Sequence, residues 1–470
     1  MTLSVALRRH VCVVGGITML LATLAGATGA QQDVTSRQHA DADRLIDAAL
    51  ADTAAYARLA MLTDRFGHRL SGSKSLEDAI DWILAEMRRD GLANVRGEPA
   101  MVPHWVRGAE SAALVLPRQV PLHMLGLGMS VGTPTSGVTA PVLVVSSFDD
   151  LQRRASEAKG KIVLFDHPFP ADKPPMEGYD AAVTYRGGAP TAAARVGAVA
   201  VLIRSVASFS IQSPHTGSTR YDSTVARIPA AALSIEDAEM LHRMQDRGER
   251  VVVKLQMDAH QLPDAPSRNV VAELRGSTKP DEVVVLGGHI DSWDVGEGAM
   301  DDGGCSVAAW EAVRLMQRLG LKPARTVRVV LWTNEENGGR GGRAYRDAHA
   351  AELPRHDVAM ECDNGVFRPF GVRFQGSAAG LAFVKPVGAL LERIGASRVV
   401  AGDGEADVGP ILQRGVPGLA LDVDDARYFW YHHSWGDMMT MIDRDDFNKC
   451  VATMAVMAYV LASLDQPVPR

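Results

Sequence analysis

The sequence predicts an α/β fold in which a mixed central sheet is sandwiched by helices and carries an inserted β-rich module. Two observations support this prediction. From residue 267 onward, short apolar runs alternate with longer amphipathic segments, as where EVVVLGGHID leads to GCSVAAWEAVRLMQRLG. Near-continuous apolar strands of this kind are typical of a sheet covered on both faces. Between residues 109 and 262, by contrast, five short apolar runs are separated by Gly, Pro and Ser turns and by a few short helical pieces: APVLVVSS, KIVLFDH, AVAVLIRS, IPAAALS and RVVVKLQM.

The first 30 residues have the pattern of an export signal. Two arginines precede the apolar stretch VCVVGGITMLLATLAGA, and small residues follow at Ala25, Ala27 and Ala30. Gly and Thr interrupt this stretch, which makes it marginal as a membrane span. We therefore expect an exported protein, periplasmic or secreted, with no membrane attachment after the signal is removed.

The segments that follow predict how the rest of the chain is organised. DADRLIDAALADTAAYARLAMLTDRFG and SLEDAIDWILAEMRRDGL have helical periodicity and precede the β-rich module. The predicted domains are a signal at 1–30, a catalytic domain made of 31–108 and 263–470, and an inserted domain at 109–262.

Composition and charge exclude several classes of protein. Hydrophobic residues make up 46% of the 470 positions and charged residues 22%, which is ordinary for a globular protein with a substantial core. The net charge of -7 comes without a long basic run, so nucleic acid is not expected as a partner.

The cysteines show no pattern of disulfide pairing. Cys12 lies in the predicted signal, which leaves Cys305, Cys362 and Cys450, an odd number without short-range spacing. Although a cysteine thiolate can bind a metal ion, we interpret all three as small buried hydrophobic residues.

Potential metal ligands occur where predicted strands end or loops begin. Two imidazoles and three carboxylates suit a pair of divalent ions that share one bridging carboxylate. Glu335 directly precedes one of these carboxylates and could act as a general base. The five candidates, in chain order, are His289, Asp301, Glu336, Asp363 and His433.

Three of these positions stay ambiguous when the residues are considered alone. Asp301 is followed by Asp302, either of which could bridge two ions, and His433 is preceded by His432. Glu335 and Glu336 could likewise exchange the roles of base and ligand.

Several motifs occur together in one order: GGHIDSWDVGEGAMDDGG, WTNEENGG, GVPG and WYHHSWGD. With them, the chain resembles the co-catalytic zinc peptidases of the M28 type, which have the zinc exopeptidase fold. The inserted segment carries KGKIVLF, LIRSVASFSIQSPHTG and IPAAALSIEDAEML, which look like the protease-associated domain of one carboxypeptidase branch. Members of that branch dimerise, so the resemblance also implies a homodimer.

The resemblance assigns roles within the candidate site and implies two zinc ions per chain. His289 and Asp363 would hold one ion, and Glu336 and His433 the other. Asp301 would bridge the two ions, and Glu335 would be the base. Residues expected to support the ligands are Asp291, which would hydrogen-bond the imidazole of His289, together with Asp302 and Asp437.

Candidate substrate contacts come from two loops and from the inserted segment. Glu405 and Asp407 could receive a substrate amino group. A substrate carboxylate or an oxyanion could meet side chains of the segment DDARYFWYHH, while the inserted segment offers a histidine. These further candidates are Arg427, Tyr428, Tyr431 and His215.

We therefore predict an exported di-zinc exopeptidase that hydrolyses dipeptides or short peptides. An aminopeptidase of the same fold is the main alternative. A non-catalytic binding protein would have lost ligands, and a single-zinc glutaminyl cyclase would not need His289 and Asp363 as ligands. Both residues are present.

Overall fold

The computed structural model describes residues 34–470, which form two mixed eight-stranded sheets and their covering helices. The predicted export signal lies outside the described residues. The strands are β1 (Ala93–Val106), β2 (Glu110–Leu116), β3 (Val120–Leu122), β4 (Met124–Gly126), β5 (Val138–Val145), β6 (Ile162–Phe165), β7 (Ala200–Arg204), β8 (Ala230–Leu233), β9 (Val252–Met257), β10 (His260–Leu274), β11 (Lys279–His289), β12 (Arg325–Trp332), β13 (His356–Glu361), β14 (Pro369–Gln375), β15 (Arg398–Ala401) and β16 (Gly418–Val423). The α-helices are α1 (Ser36–Leu50), α2 (Ala54–Phe66), α3 (Lys74–Arg89), α4 (Phe148–Arg153), α5 (Ala155–Ala158), α6 (Pro175–Arg195), α7 (Ile235–Asp246), α8 (Gly304–Arg318), α9 (Arg340–Ala348), α10 (Ala378–Gly388), α11 (Gly409–Leu412), α12 (Tyr428–Tyr431) and α13 (Arg444–Ser463). Within the described residues, no helix is both long enough and apolar enough to span a bilayer.

The first sheet has the strand order β1-β10-β12-β11-β13-β16-β14-β15. Its four central strands, β12, β11, β13 and β16, are parallel. On β11, Val284 and Leu286 face one hydrophobic core, whereas Val283 and Val285 face another. Because successive side chains of a strand point to opposite faces, both faces of this sheet are buried, as its apolar runs predict.

Helices cover both faces of the first sheet. The larger core contains Leu45 of α1, Ile80 of α3 and Met457 of α13. The smaller core contains Tyr345 of α9 and Ile411 of α11. The predicted α/β fold, with a mixed sheet sandwiched by helices, is confirmed.

The inserted part of the chain forms the second sheet, in the order β3-β2-β9-β5-β6-β7-β8-β4. The chain enters and leaves it through β1 and β10, which pair along an antiparallel ribbon. All five apolar runs noted in this region are strands, β5 to β9. The predicted boundaries 109–262 enclose this sheet, and its assignment as a protease-associated domain stays a prediction.

The inserted segment contains one helix that is longer than its sequence pattern indicates. α6 has 21 residues, whereas only short helical pieces are expected there. It packs on the second sheet through small side chains, among them Ala182, Ala189 and Ala193. A face built from alanine lacks the large apolar residues that make an amphipathic pattern visible in a sequence.

Candidate metal centre

The five candidate ligands converge at the carboxyl edge of the first sheet. His289 is the last residue of β11, Glu336 follows β12 and Asp363 follows β13. Asp301 lies between β11 and α8, and His433 lies beyond β16. Because the four parallel strands end at the same edge, residues far apart in sequence meet there.

Asp301 lies between two pairs of side chains. Its Oδ1 is 3.2 Å from Nε2 of His289, and its Oδ2 is 3.3 Å from Nε2 of His433. The same nitrogen of His289 lies 3.1 Å from Oδ1 of Asp363, and that of His433 lies 3.0 Å from Oε2 of Glu336. One carboxylate thus directs one oxygen to each half of the cluster, which is the grouping that the resemblance implies.

Backbone carbonyls set the tautomer of both histidines. Nδ1 of His289 donates to the carbonyl of Asp291 at 2.9 Å, and Nδ1 of His433 donates to the carbonyl of Thr216 at 3.3 Å. Each ring then directs the unprotonated Nε2 toward the carboxylates, as a metal ligand requires. The hydrogen bond expected between Asp291 and the imidazole of His289 is made by the backbone carbonyl and not by the side chain. The carboxylate oxygen Oδ1 of Asp291 lies 3.8 Å from Nδ1 of His289, too far for a hydrogen bond.

The side chain of Asp437 holds the loop that carries Asp301. Asp437 accepts hydrogen bonds from the backbone N–H groups of Ala299, Met300 and Asp301, at 3.0, 2.6 and 3.1 Å. Oδ2 of Asp302 accepts from the backbone N–H of His289 at 2.9 Å. These contacts fit the supporting roles expected for Asp302 and Asp437.

Glycine makes room for the Asp302 carboxylate. A Cβ atom on Gly288 would lie 2.5 Å from its Oδ2 and 2.9 Å from the backbone nitrogen of Ser306. The glycine before His289 therefore allows the loop and the strand end to approach closely.

His433 is the better placed of the two adjacent histidines. Nε2 of His432 is 3.8 Å from Asp301, farther than that of His433, and the two rings stack at 3.4 Å between centroids. Burial lowers the pKa of His433 to about 4. The ring is therefore neutral at physiological pH, which is the form that coordinates a metal.

The donor set fits divalent cations. Burial raises the pKa of Glu336 well above its usual range, and the charge of Asp301 adds to the effect. Burial also raises the pKa of Glu335, with a further contribution from Asp363. Carboxylates crowded in a buried site need positive charge to remain ionised, and two zinc ions would provide it. Imidazole nitrogens and carboxylate oxygens are ligands that zinc accepts.

Glu335 and Glu336 differ in exposure although they are adjacent. Both line the cleft, but Glu336 is buried with Oε2 at 3.0 Å from Nε2 of His433, whereas Glu335 is half-buried. The backbone N–H of Glu335 donates to Oδ1 of Asp291 at 3.1 Å, which fixes the segment at this point. Within the described residues, Glu336 groups with His289 and Asp301 as a possible metal ligand and Glu335 does not, which suits Glu335 better as a base.

The cleft above these residues has a volume of about 1630 Å³ and walls from both sheets. Of the predicted substrate contacts, Glu405 and Tyr428 line it. Oε1 of Glu405 accepts from Asn364 at 2.8 Å and from Arg373. Burial raises the pKa of Glu405 to about 7, although Arg373 opposes the shift.

Two predicted contacts of the aromatic segment do not line the cleft. Arg427 is exposed, and its guanidinium lies over the ring of Phe367, 5.8 Å from the centroid. Tyr431 is half-buried and packs beside Gly436. Neighbouring side chains of a helical segment point in different directions, so the inward-facing position of Tyr428 turns Arg427 outward.

Two other predicted contacts are buried away from the cleft. His215 donates from Nδ1 to the carbonyl of His432 at 2.6 Å, so it supports the backbone rather than a substrate. Asp407 is buried, and among residues 34–470 neither of its carboxylate oxygens has a hydrogen-bond partner. Its backbone N–H donates to Glu361, which holds the loop inward.

Sequence reasoning missed residues that support the site from a distance. Arg69 is fully buried and donates to the carbonyls of Ile290, Glu297 and Gly298. Its position in the N-terminal segment gives no sign of this contact. Thr216 acts through a backbone carbonyl, which its residue type cannot reveal.

A disulfide links Cys305 and Cys362, so the interpretation of these residues as separate thiols is wrong. Cys305 lies in the first turn of α8 and Cys362 directly after β13. The 57-residue separation gives no local signal, but the parallel topology brings the two elements together. Cys450 is a buried free thiol, as expected.

The fold and the site define a metal-dependent hydrolase. Residues 269–458 match Peptidase family M28. The chain is 48% identical to carboxypeptidase Q of Mus musculus over 415 residues, which cover 88% of this chain and 87% of that protein. It is 47% identical to carboxypeptidase Q of Homo sapiens, with 89% and 88% covered. The chain belongs to Peptidase family M28 and is a metallo-exopeptidase.

Solved structures agree with this assignment. A Peptidase M28 precursor from Shewanella amazonensis is 34% identical, with a TM-score of 0.89 over 92% of this chain and 99% of that chain. A zinc aminopeptidase from Bacillus subtilis is 18% identical, with a TM-score of 0.63 over 86% and 93%. The second likeness shows the fold alone.

Proposed function

We propose that the protein is an exported di-zinc exopeptidase that hydrolyses dipeptides or short peptides, with Glu335 as the general base. The observation that carries the proposal is the position of Asp301, whose two oxygens face His289 and His433 separately. Asp363 completes one half of the cluster and Glu336 the other. A site for one ion would use only one of the two pairs, His289 with Asp363 or His433 with Glu336.

The residues divide the catalytic work. Two bound zinc ions would supply the Lewis acidity that activates water and polarises a peptide carbonyl. Glu335 would accept the proton of the attacking water and deliver it to the nitrogen of the departing amine. Asp437 and Asp291 would hold the ligand-bearing loops in place. The half-buried position of Glu335 in the cleft supports this role.

Short peptides suit the distribution of charge in the cleft. Glu405 lines the cleft and, when ionised, could receive an α-amino group. The likeness to carboxypeptidase Q supports a requirement for a free substrate carboxylate as well. We therefore propose that both termini of a dipeptide are recognised.

The disulfide supports export. Disulfides persist in oxidising compartments and are rare in the cytosol of most organisms, so the Cys305–Cys362 bond fits a periplasmic or secreted protein. The arginines and apolar stretch of residues 1–30 support the same proposal.

Two further proposals rest mainly on the resemblance stated from the sequence. Residues 109–262 would be a protease-associated domain, which the separate second sheet supports. The protein would form a homodimer. The exposed apolar side chains of Phe209 and Ile211 support self-association, because a partner subunit could cover them.

A panel of dipeptides tests the proposed activity. The zinc-loaded protein is assayed with free, N-acetylated and C-amidated forms of one dipeptide. We expect capping of either terminus to lower kcat/KM about tenfold or more, because a buried charged partner is then left unpaired. Equal cleavage of free and C-amidated substrates would identify an aminopeptidase instead.

A further inference from the structure

The carboxylate of Asp302 and the two sulfur atoms of the disulfide form a second group of potential metal ligands. One carboxylate oxygen of Asp302 and the Sγ atoms of Cys305 and Cys362 lie within 4.8 Å of one another. All three residues are fully buried. The five candidate ligands of the metal centre are imidazoles and carboxylates, so a group with two sulfur atoms differs from that centre in its chemistry.

One oxygen of the Asp302 carboxylate is left unsatisfied by the protein. Oδ2 accepts from the backbone N–H of His289 at 2.9 Å. Oδ1 has no hydrogen-bond partner among residues 34–470. A buried carboxylate oxygen without a partner is costly, so its retention calls for an explanation. A cation bound between this carboxylate and the two sulfur atoms would provide the missing partner.

The fold itself brings the three side chains together. Cys305 lies in the first turn of α8, and Cys362 directly follows β13. β13 pairs with β11, and α8 packs on β11 in the larger hydrophobic core. A Cβ atom on Gly288 would lie 2.5 Å from Oδ2 of Asp302 and 3.1 Å from the carbonyl carbon of Cys305, so glycine is needed for this close approach. The two sulfur atoms should therefore remain neighbours when the bond between them is reduced.

Reduction converts these sulfur atoms into metal ligands. A disulfide carries no charge, whereas thiolates are ligands that zinc binds strongly. A phosphine supplies the two electrons that break the bond and becomes a phosphine oxide, taking its oxygen from water. The two protons of that water form the two thiols. A zinc ion then replaces both thiol protons, which are released to the solvent.

We propose that Asp302, Cys305 and Cys362 bind one thiophilic divalent cation, of which zinc is the model, when the disulfide is absent. The ion would replace the disulfide as the link between the start of α8 and the end of β13. A newly made chain has both thiols before the disulfide forms, so this is the state in which the site would be used. The inference is independent of the proposed peptidase activity.

Cobalt(II) alone is the probe for this site. Thiolate ligands give cobalt(II) an intense charge-transfer absorption in the near ultraviolet, which imidazole and carboxylate ligands do not give. The protein is prepared with its disulfide intact and after reduction by a phosphine, and each form is titrated with cobalt(II). We expect the reduced form to develop this absorption and to hold one more ion per chain than the oxidised form, which should not develop it.

Three variants, studied under the same reducing conditions, assign the ligands. Cys305→Ala/Cys362→Ala should lose the absorption. Cys450→Ala, which removes a buried thiol outside the group, is the matched control and should retain it. Asp302→Asn should weaken cobalt(II) binding at this site by about tenfold or more, because the charged oxygen ligand is lost.

Several outcomes would overturn the inference. Reduced wild type without the absorption would contradict it, as would an absorption that persists in Cys305→Ala/Cys362→Ala or an unchanged affinity in Asp302→Asn. Circular dichroism shows whether the reduced chain is folded. If it unfolds, refolding by cobalt(II) in wild type but not in Cys305→Ala/Cys362→Ala supports the site, and a chain that stays unfolded with cobalt(II) contradicts it.

Discussion

At the scale of single residues, the chemistry of the centre depends on which nitrogen each histidine leaves unprotonated. His289 and His433 both donate from Nδ1 to backbone carbonyls, those of Asp291 and Thr216. Their Nε2 atoms then face carboxylates that approach from other strand ends. The carbonyl of Thr216 comes from the inserted segment, so that segment contributes to the candidate metal centre as well as to the cleft.

We expect Glu335→Gln to abolish turnover while both metals stay bound. Glu336 lies 3.0 Å from Nε2 of His433, whereas within the described residues Glu335 belongs to none of the candidate metal-binding groups, so its loss should remove a base and no ligand. Loss of a general base lowers kcat by a factor on the order of 10²–10⁴. Steady-state kinetics and metal analysis of the purified variant provide the measurement. Near-normal activity, or loss of zinc, would reverse the roles of Glu335 and Glu336.

We expect Asp301→Asn to lose zinc far more completely than Asp302→Asn. Asp301 faces both Nε2 atoms, and without its charge two neighbouring cations would repel each other. Asp302 contacts the backbone of His289, and loss of a supporting contact weakens metal affinity by roughly 10–100-fold. Zinc retained during titration with a chelator compares the two matched variants. Equal retention would remove the bridging role from Asp301.

At the scale of elements, the strands that carry the site could be predicted because both faces are buried. Near-continuous apolar runs such as VVVLGG and VRVVLW predict strands of a sheet that is covered on both faces. The length of α6 could not be predicted, because its buried face is made mostly of alanine and glycine.

The disulfide joins two elements that each carry a candidate ligand. Cys305 begins α8, directly after the Asp301 loop, and Cys362 immediately precedes Asp363. Its pairing could not be predicted, because the contact arises from topology and not from spacing. We infer that it fixes the separation between Asp301 and Asp363.

Removing this disulfide should lower both stability and zinc affinity. For a loop of this length, loss of the cross-link is expected to lower the free energy of unfolding by about 2–4 kcal/mol. The measurement is thermal unfolding of the Cys305→Ala/Cys362→Ala variant, with and without zinc. Cys450→Ala serves as the control, because this variant keeps the disulfide. A reductant should therefore lower its Tm by as much as it lowers that of wild type. An unchanged Tm in the double variant would show that the bond has no stabilising role.

At the scale of the whole molecule, two parts of the chain with different sequence patterns, each built on one sheet, line one cleft. The part built on the first sheet supplies the candidate metal ligands and the candidate base, and the inserted part supplies arginines of the cleft wall and the carbonyl of Thr216 beside His433. The different pattern of residues 109–262, with short apolar runs separated by turn residues, could be recognised in the sequence. The way in which the two parts share one cleft could not be predicted from the sequence, because the contacts between them are made by single residues and backbone atoms.

The most direct test of the central claim is to titrate the metal-free protein with zinc while following hydrolysis of a free dipeptide. The shared position of Asp301 predicts that two zinc ions bind per chain and that full activity requires the second. Full activity at one ion per chain, or no hydrolysis with both bound, would contradict the di-zinc exopeptidase proposed here.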